Sequence, residues 1–293
     1  MSIMDFFNMF PDDESCLTHI FEVRFGQDYC CPKCEKSAKW YRIKAERAYS
    51  CGNCGHHLHP TVNTPFEKSR TSLRLWFYAI YLFTTSRHGV SAKELERQLG
   101  VTYKTAWRMG HEIRKHMSEV DGDPVLGGIV EIDETLVGGK RPGKRGRGAA
   151  GKTIVMGMLE RDGQIVTEVV PDVKASTLMP HIEDHVEEGA EIHTDELRSY
   201  SGLTDEGYDH KKINHGRKEY AKGGVHVNGC ESFWSHFKNA VRGTHIHVSE
   251  KHLWKYAKEF EFRFNNREIP REMFPKLVNQ FLGEKDLPSS EEP

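Results

Sequence analysis

The spacing of hydrophobic residues changes near residue 125, from a helical period to short β-prone apolar runs. Apolar residues recur at helical spacing at 10–25, where Asp12 or Asp13 is the expected cap, and throughout 71–117. Beyond this point come three β-prone runs, which cover residues 128–137, 153–160 and 164–170. The last two runs are joined by a turn that contains Asp-Gly, which predicts a hairpin.

The segments after residue 170 extend this pattern into an α/β domain. They predict a helix at 175–186, a strand at 191–195, a helix at 196–203, a short strand at 210–215, a helix at 228–242 and a last helix from Ser249 to about 265. Three antiparallel strands, a helix and a further strand match the opening of a ribonuclease-H-like α/β fold.

Two C-x-x-C pairs stand ahead of this domain, Cys31 with Cys34 and Cys51 with Cys54, and sixteen residues separate the pairs. Each pair can form a tight turn that presents two thiolates, and two such turns complete a tetrahedron around Zn²⁺. The spacing therefore predicts a small zinc ribbon. Because the segment has few aliphatic residues, the metal would supply much of its folding free energy.

The remaining cysteines leave one alternative open. Cys30 and the three histidines at 56, 57 and 59 lie close enough in sequence to substitute for a ribbon ligand. Cys16 and Cys230 have no partner at ligand spacing, and we interpret them as small core residues.

A short helix, a glycine turn and a second helix between residues 91 and 116 resemble a helix-turn-helix. Ser91 and Glu94 form a capping box for the first helix, Gly100 ends it, and Thr102 caps the second. The start of the second helix would present three residues to DNA, namely Tyr103, Lys104 and Arg108. A plain helical bundle is the alternative.

Composition describes an ordinary polar chain of 293 residues with 37% hydrophobic residues, 29% charged residues and a net charge of −2. The longest apolar run, at 75–83, is about half of a membrane span, so we expect a buried helix and no membrane partner. The N-terminal residues lack the basic start of a secretory signal, which favours a cytoplasmic location. In that compartment cysteines are expected to bind metal before they form disulfides.

The segment 136–152 contains six basic residues and no acidic residue among many glycines. We interpret residues 138–152 as a flexible arm that contacts a DNA phosphate backbone, with a merely solubilising loop as the alternative. The basic residues of the arm are Lys140, Arg141, Lys144, Arg145, Arg147 and Lys152.

Asp133 lies within an apolar run, where burying an unpaired polar group costs on the order of 2–7 kcal/mol. An edge strand that faces water would avoid this cost. Asp195 ends a later strand, and Glu231 lies in a helix after a gap of 35 residues. A ribonuclease-H-like topology can bring these three carboxylates together around Mg²⁺, which prefers oxygen ligands. Glu134 should point to the opposite face, since side chains alternate along a strand.

Five blocks of sequence resemble DDE-type transposases of prokaryotic insertion sequences, in the group with an N-terminal zinc ribbon. The blocks are C-P-K-C with C-G-N-C, V-E-I-D-E-T-L-V-G-G-K, H-T-D-E-L-R-S-Y, H-V-N-G-C-E-S-F-W-S-H-F-K and R-G-T-H-I-H-V-S-E-K-H-L. The resemblance implies a catalytic triad of Asp133, Asp195 and Glu231 that binds Mg²⁺ or Mn²⁺. It also implies that Lys238 contacts the DNA of the transposon end. Asn228 is a further candidate for a metal or DNA contact.

The resemblance further implies hydrolysis at the ends of the element, which frees 3′-hydroxyls that then attack target DNA directly. The partners would be double-stranded DNA of the element ends and of the target, held by the zinc ribbon, the helix-turn-helix and the basic arm. Joining two ends would require a homo-oligomer, at least a dimer. Two alternatives stay open, a ribonuclease-H-like nuclease without strand transfer and a non-catalytic regulator built on the zinc ribbon and helix-turn-helix.

The expected fold class is α/β, with a ribonuclease-H-like catalytic core preceded by a zinc ribbon and a helix-turn-helix-like segment. The expected segments are an N-terminal helical segment at 1–28, the zinc ribbon at 29–66, the helix-turn-helix-like segment at 67–120, the catalytic domain at 125–283 and a disordered tail at 284–293.

Overall fold

The computed structural model describes residues 1–26, 28–122, 124–138, 152–213 and 224–283. The chain forms two compact units. The first, here called the N-terminal unit, comprises Met1–Thr85, Ala92–His116 and Ile269–Pro293, and the second, the sheet unit, comprises Ser86–Ser91 and Met117–Glu268. The predicted tail and most of the predicted basic arm lie outside the described residues.

The helices of the described residues are α1 (Ile3–Met9), α2 (Asp13–Arg24), α3 (Leu73–Thr85), α4 (Ala92–Leu99), α5 (Tyr103–Met117), α6 (Ala175–His185), α7 (Asn228–Ala240), α8 (Glu250–Asn265) and α9 (Met273–Leu282). The strands are β1 (Trp40–Ile43), β2 (Ala48–Cys51), β3 (His57–Leu58), β4 (Ile129–Val137), β5 (Thr153–Glu160), β6 (Ile165–Val170), β7 (Glu191–Thr194) and β8 (Asp209–Lys212). None of these helices combines the length and the apolar character needed to cross a membrane.

An aromatic core holds together α1, α2, α3 and α9 of the N-terminal unit. The Phe10 ring centroid lies 4.9 Å from that of Phe77 on α3 and 5.8 Å from that of Phe274 on α9. Asp12 caps α2 by accepting the N–H of Ser15 at 2.8 Å, which confirms the predicted cap. Helix α9 packs here although the sequence analysis included residues 273–283 in the catalytic domain.

The ribbon and the two predicted helices follow in the same unit. Strands β1, β2 and β3 form an antiparallel sheet in that order, with Trp40 opposite Cys51. Helices α4 and α5 are joined at Gly100, whose φ of 65° lies in the left-handed region that glycine adopts without strain. The hydroxyl of Thr102 accepts the N–H of Thr105 at 3.3 Å, as expected for the cap of α5.

The sheet unit is built on five strands in the order β6-β5-β4-β7-β8. Strands β4, β5 and β6 are antiparallel neighbours, whereas β7 and β8 run parallel to β4 and to each other. Asp162 takes a φ of 62° in the predicted hairpin turn. This strand order and direction confirm the ribonuclease-H-like fold.

The two faces of this sheet carry separate cores. Val130 and Ile132 belong to the core beneath α6, whereas Val137 and Val155 belong to the core beneath α7 and α8. Alternate residues of β4 therefore face different helices, because side chains alternate along a strand.

One predicted helix is wrong. Residues 196–203 form only a 3₁₀ turn at Arg198–Tyr200, and the Ser199 hydroxyl donates to the Val173 carbonyl. Tyr200 and Leu203 are buried in the core beneath α6. These two buried side chains hold the short segment in place. A full helix is not needed for this, and the first turn of a helix is costly to form.

Candidate active site

Asp133 and Asp195 lie on neighbouring strands in the middle of the sheet. Strands β4 and β7 are parallel, and Ile132 pairs with Thr194. Asp133 directly follows Ile132 in the sequence, and Asp195 directly follows Thr194. The sheet therefore places them next to each other.

The ionisation of Asp133 depends on the other acids of the predicted triad. Burial, followed by the negative charge of Asp195, raises the pKa of Asp133 from 3.8 to about 6, and the charge of Glu231 acts in the same direction. The backbone N–H of Glu134 and the ammonium of Lys238 act in the opposite direction. Charges perturb one another in this way only at short range, so the three acids and Lys238 share one electrostatic site.

Helix α7 brings Glu231 to this site because a glycine lies beneath it. Gly157 of β5 pairs with Asp133, and a Cβ atom at this glycine would lie 2.6 Å from Cζ2 of Trp234. The absence of a side chain thus lets α7 pack closely on the sheet. Glu231 is in the first turn of α7, and Asn228, its first residue, is exposed.

Glu134 lies on the other face, as strand alternation predicts. Its carboxylate accepts a hydrogen bond from the hydroxyl of Tyr200 in the core beneath α6. The charge of Glu134 also contributes, after burial, to a pKa of Tyr200 well above 10. Of the two adjacent acids, only Asp133 faces α7.

The three acids are less tightly gathered than the ribbon cysteines. Glu231 is exposed, and Asp195 uses Oδ1 to accept the N–H of Leu197 at 2.9 Å. Within the described ranges, Cys31, Cys34, Cys51 and Cys54 are the group whose ligand atoms all lie within 4.8 Å of one another. The structure brings the acids into one region, without the close ligand cluster of the cysteines.

A cleft of about 280 Å³ has two cationic side chains, Lys238 and Arg242, in its lining. It is lined by Leu136, Val137, Gly138, Lys238, Val241, Arg242, Ile246, His247 and Val248. Burial lowers the pKa of Lys238, and the positive charges of Arg242 and Lys152 lower it further. Lys238 is therefore close to Asp133 and also to Arg242 and Lys152, and grouped positive charges of this kind attract a polyanion.

The four ribbon cysteines meet as their spacing predicts. Sγ of Cys31 lies 3.6 Å from Sγ of Cys54, and Sγ of Cys34 lies 3.9 Å from Sγ of Cys51. Four thiol groups at these separations fit the tetrahedral sulfur coordination of Zn²⁺. Cys16 and Cys230 are buried and free, which confirms their interpretation as core residues.

The residues predicted to face DNA from α5 lie on the surface of the N-terminal unit. Tyr103 is 46% exposed, and the ammonium of Lys93 lies 5.0 Å from its ring centroid. Lys104 is exposed, and the guanidinium of Arg108 lies 5.4 Å from the ring centroid of Trp76. These contacts leave the side chains accessible.

The basic arm is described only at its end. Lys152 precedes β5, whereas Lys140, Arg141, Lys144, Arg145 and Arg147 lie outside the described residues. Their predicted DNA contacts stay predictions.

Sequence reasoning missed a polar network beside the acids. Glu131 precedes Asp133 by two residues and His193 precedes Asp195 by two, so strand alternation places each on the same side as its aspartate. The alternation of side chains along these strands was the sequence signal that could have identified Glu131 and His193. Arg161 contacts both, and its role depends on contacts between segments distant in sequence.

Comparisons with known families assign both parts of the chain. Residues 125–265 match the ISXO2-like transposase domain, and residues 11–57 match the transposase zinc-ribbon domain. The chain is 29% identical to an uncharacterized protein in transposable element ISH50 of Halobacterium salinarum, over 93% of this chain and 95% of that protein. It is 36% identical to an uncharacterized transposase-like protein of Haemophilus influenzae, over 36% of this chain and 85% of that protein.

Solved structures with related arrangements include a pre-cleavage Mos1 transpososome and the Mos1 strand transfer complex. Their sequences are 12% and 14% identical to this chain, and each comparison covers 70% of it and 78% or 77% of the other chain. The TM-scores are 0.27 and 0.30, so the fold assignment rests on the strand order of the sheet unit. With a transposase zinc-ribbon match at residues 11–57 ahead of a transposase-domain match at residues 125–265, this chain belongs to the insertion-sequence transposases that carry an N-terminal zinc ribbon.

Proposed function

We propose that this transposase cuts DNA at the ends of its insertion sequence and joins those ends to target DNA. Asp133, Asp195 and Glu231 are its catalytic residues in this proposal. The observation that carries it is the register of β4 with β7, which places Asp133 beside Asp195, together with the packing of α7 on Gly157. Burial, followed by the charges of Asp195 and Glu231, raises the pKa of Asp133, and a carboxylate perturbed in this way is typical of functional sites.

The donor set fits Mg²⁺ or Mn²⁺ because the acids offer only carboxylate oxygens, the ligands that these hard cations prefer. A divalent cation would also offset the mutual repulsion that raises the pKa of Asp133. When bound, such ions supply electrostatic stabilisation of the attacking and leaving oxygens of a phosphodiester. Asp133 must be deprotonated to serve as a ligand.

The basic groups of the sheet unit would hold the DNA strand beside the acids. Lys238 and Arg242 line the cleft, and Lys152 is near enough to affect the pKa of Lys238. Ammonium and guanidinium groups bind phosphate oxygens directly. The basic arm would extend this contact, and Asn228 would add a metal or DNA contact from the start of α7.

The N-terminal unit would recognise the terminal inverted repeats. Tyr103, Lys104 and Arg108 present one aromatic and two cationic groups at the start of α5, where recognition helices contact bases and phosphates. Zn²⁺ in the ribbon would keep the adjoining strands folded. Because two ends must be held at once, the active assembly would contain at least two copies of the chain.

The test is cleavage of DNA that carries the inverted repeats flanking the coding segment, in the presence of Mg²⁺. We expect Asp133→Ala, Asp195→Ala and Glu231→Ala each to lose at least about 100-fold in cleavage rate, since loss of a metal ligand removes several kcal/mol of stabilisation. Glu196→Gln, an exposed acid beside Asp195, should cut at the parent rate. Cleavage by the three alanine variants at the parent rate would show that the triad is wrong.

A further inference from the structure

A buried polar network links the strand that carries Asp133 to the start of α7. Glu131 is on β4 and pairs in register with His193 on β7, one alternation before Asp133 and Asp195 respectively. The side chain of Glu131 is only 2% exposed. A carboxylate buried to this degree requires partners for both oxygens.

One oxygen of Glu131 holds the N-terminus of α7. Oε2 accepts the backbone N–H groups of Gly229 at 2.7 Å and Cys230 at 3.3 Å. These are among the N–H groups that lack partners within a helix, and a negative charge is favourable at a helix N-terminus. Glu231 is the next residue after Cys230.

Residue 229 is a glycine because the carboxylate comes so close. A Cβ atom there would lie 2.8 Å from Oε2 of Glu131 and 2.4 Å from Cδ2 of Leu159. Cβ atoms essentially never approach other atoms this closely, so a side chain at residue 229 would displace the Glu131 carboxylate and the end of Leu159. The Glu131 carboxylate is thus in close contact with α7 two residues before Glu231.

The other oxygen of Glu131 is neutralised by Arg161. The Arg161 guanidinium donates to Oε1 from NH2 at 3.0 Å and from Nε at 3.3 Å. NH1 of the same group donates to the Gly224 carbonyl at 3.1 Å, and Nδ1 of His226 lies 3.0 Å from Oε1. Arg161 therefore fixes both the cap carboxylate and the segment that leads into α7.

Histidine 193 completes the network from the neighbouring strand. Its Nε2 lies 2.6 Å from Oε1 of Glu191, and its Nδ1 lies 3.2 Å from NH2 of Arg161 and 3.3 Å from the backbone N of His226. An Nε2–H tautomer satisfies all three contacts, because Nε2 donates and Nδ1 accepts. The strand of Asp195 is thereby tied to the same arginine.

We propose that Glu131 and Arg161 are positioning residues, which fix the start of α7 on the sheet and thereby the position of Glu231 relative to Asp133 and Asp195. This inference rests on the proposed function. The Arg161 guanidinium contacts Glu131, His193 and His226 and neutralises the Glu131 carboxylate. The network therefore needs no metal ion, and the divalent cation would bind at the triad. Supporting residues of this kind change metal affinity or activity by about 10- to 100-fold when altered.

The test compares Glu131→Gln with a matched variant, Glu261→Gln. Glu261 is also a buried carboxylate that accepts a backbone N–H, from Thr167 at 2.7 Å, and pairs with a cation, Lys258 at 3.0 Å. The glutamine at residue 131 retains one oxygen for the α7 N–H groups, so the variant should fold. We expect both variants to melt at lower temperature than the parent.

Only the change at Glu131 should alter the metal site. The Mg²⁺ concentration at half-maximal cleavage should rise about 10- to 100-fold in Glu131→Gln and stay within about twofold in Glu261→Gln. The rise in melting temperature on adding Mg²⁺ alone should also require more Mg²⁺ in Glu131→Gln. Arg161→Lys, which cannot bridge the same partners, should behave like Glu131→Gln.

Unchanged Mg²⁺ dependence in both Glu131→Gln and Arg161→Lys would reduce the network to a structural role and overturn the inference. Asp133→Asn in the same assay separates this failure from a wrong function. If Asp133→Asn cuts like the parent, the proposed function itself is wrong. If Asp133→Asn is inactive while the two network variants behave like Glu261→Gln, only the positioning role is lost.

Discussion

Glu131, Asp133 and Glu134 lie within four residues of one strand, and each carboxylate has a different environment. Glu134 accepts from Tyr200 on one face, whereas Glu131 and Asp133 face α7 on the other. Alternation along the strand was enough to separate Asp133 from Glu134 in the sequence. The role of Glu131 was not predictable, because Arg161 is 30 residues away and Gly229 is 98 residues away.

The raised pKa of Asp133 predicts that its charge destabilises the protein when no divalent cation is bound. The pKa of Asp133 is about 6 in the folded protein and 3.8 for an ordinary aspartate. Asp133 therefore stabilises the fold at low pH, where it is protonated, and this contribution to the free energy of unfolding is lost as pH rises through about 6. A shift of two units corresponds to roughly 3 kcal/mol, an upper figure for a side chain that is partly exposed. Asp133→Asn should therefore melt at higher temperature than the parent at pH 8.

Melting temperatures of parent and Asp133→Asn should be measured from pH 5 to pH 8 without divalent cations. A chelator must be avoided because it would remove Zn²⁺ from the ribbon. The advantage of the asparagine should grow between pH 5 and pH 7. An advantage that is the same at every pH would contradict the assigned titration, and Glu196→Gln serves as the control.

Among the elements, the sheet was the most predictable part and the short segments the least. Strands β4, β5 and β6 are short β-prone apolar runs, and an Asp-Gly turn joins the last two, which are local signals. Helix α9 was missed because Pro275 lies within it, although proline is tolerated in the first turn, where the N–H lacks a helical partner. Its burial against α2 and α3 is a contact between distant segments, which sequence periodicity does not report.

The packing of α7 on β5 makes a prediction at this scale. Gly157→Ala places a Cβ atom 2.6 Å from the Trp234 ring, so α7 must shift away from the sheet. Overpacking of this kind costs about 1–3 kcal/mol in the free energy of unfolding. We expect a lower melting temperature and slower DNA cleavage, because Glu231 moves with the helix.

Gly202→Ala is the matched control, since a Cβ atom there has no neighbour within 4 Å. It should leave both the melting temperature and the cleavage rate close to those of the parent. If Gly157→Ala behaves in the same way, the close approach of α7 does not determine the position of Glu231.

For the whole molecule, the distribution of charge matters more than its sum. The net charge is only −2, yet Lys238, Arg242 and Lys152 gather beside the acids on the sheet unit. The sequence indicated one basic segment, and it could not show which other cations lie near the end of that segment. The fold brings a cation-lined cleft to the carboxylates, and this combination suits a phosphodiester substrate.

The central claim is that this site both cuts and joins DNA, and the most direct measurement is strand joining. A labelled element end that already carries a free 3′-hydroxyl is mixed with a supercoiled plasmid, Mg²⁺ and the full chain. We predict covalent transfer of the label to the plasmid by the parent and by Glu196→Gln, and no transfer by Asp133→Asn. Cleavage of uncut ends without any transfer of pre-cut ends would contradict the account and favour a nuclease.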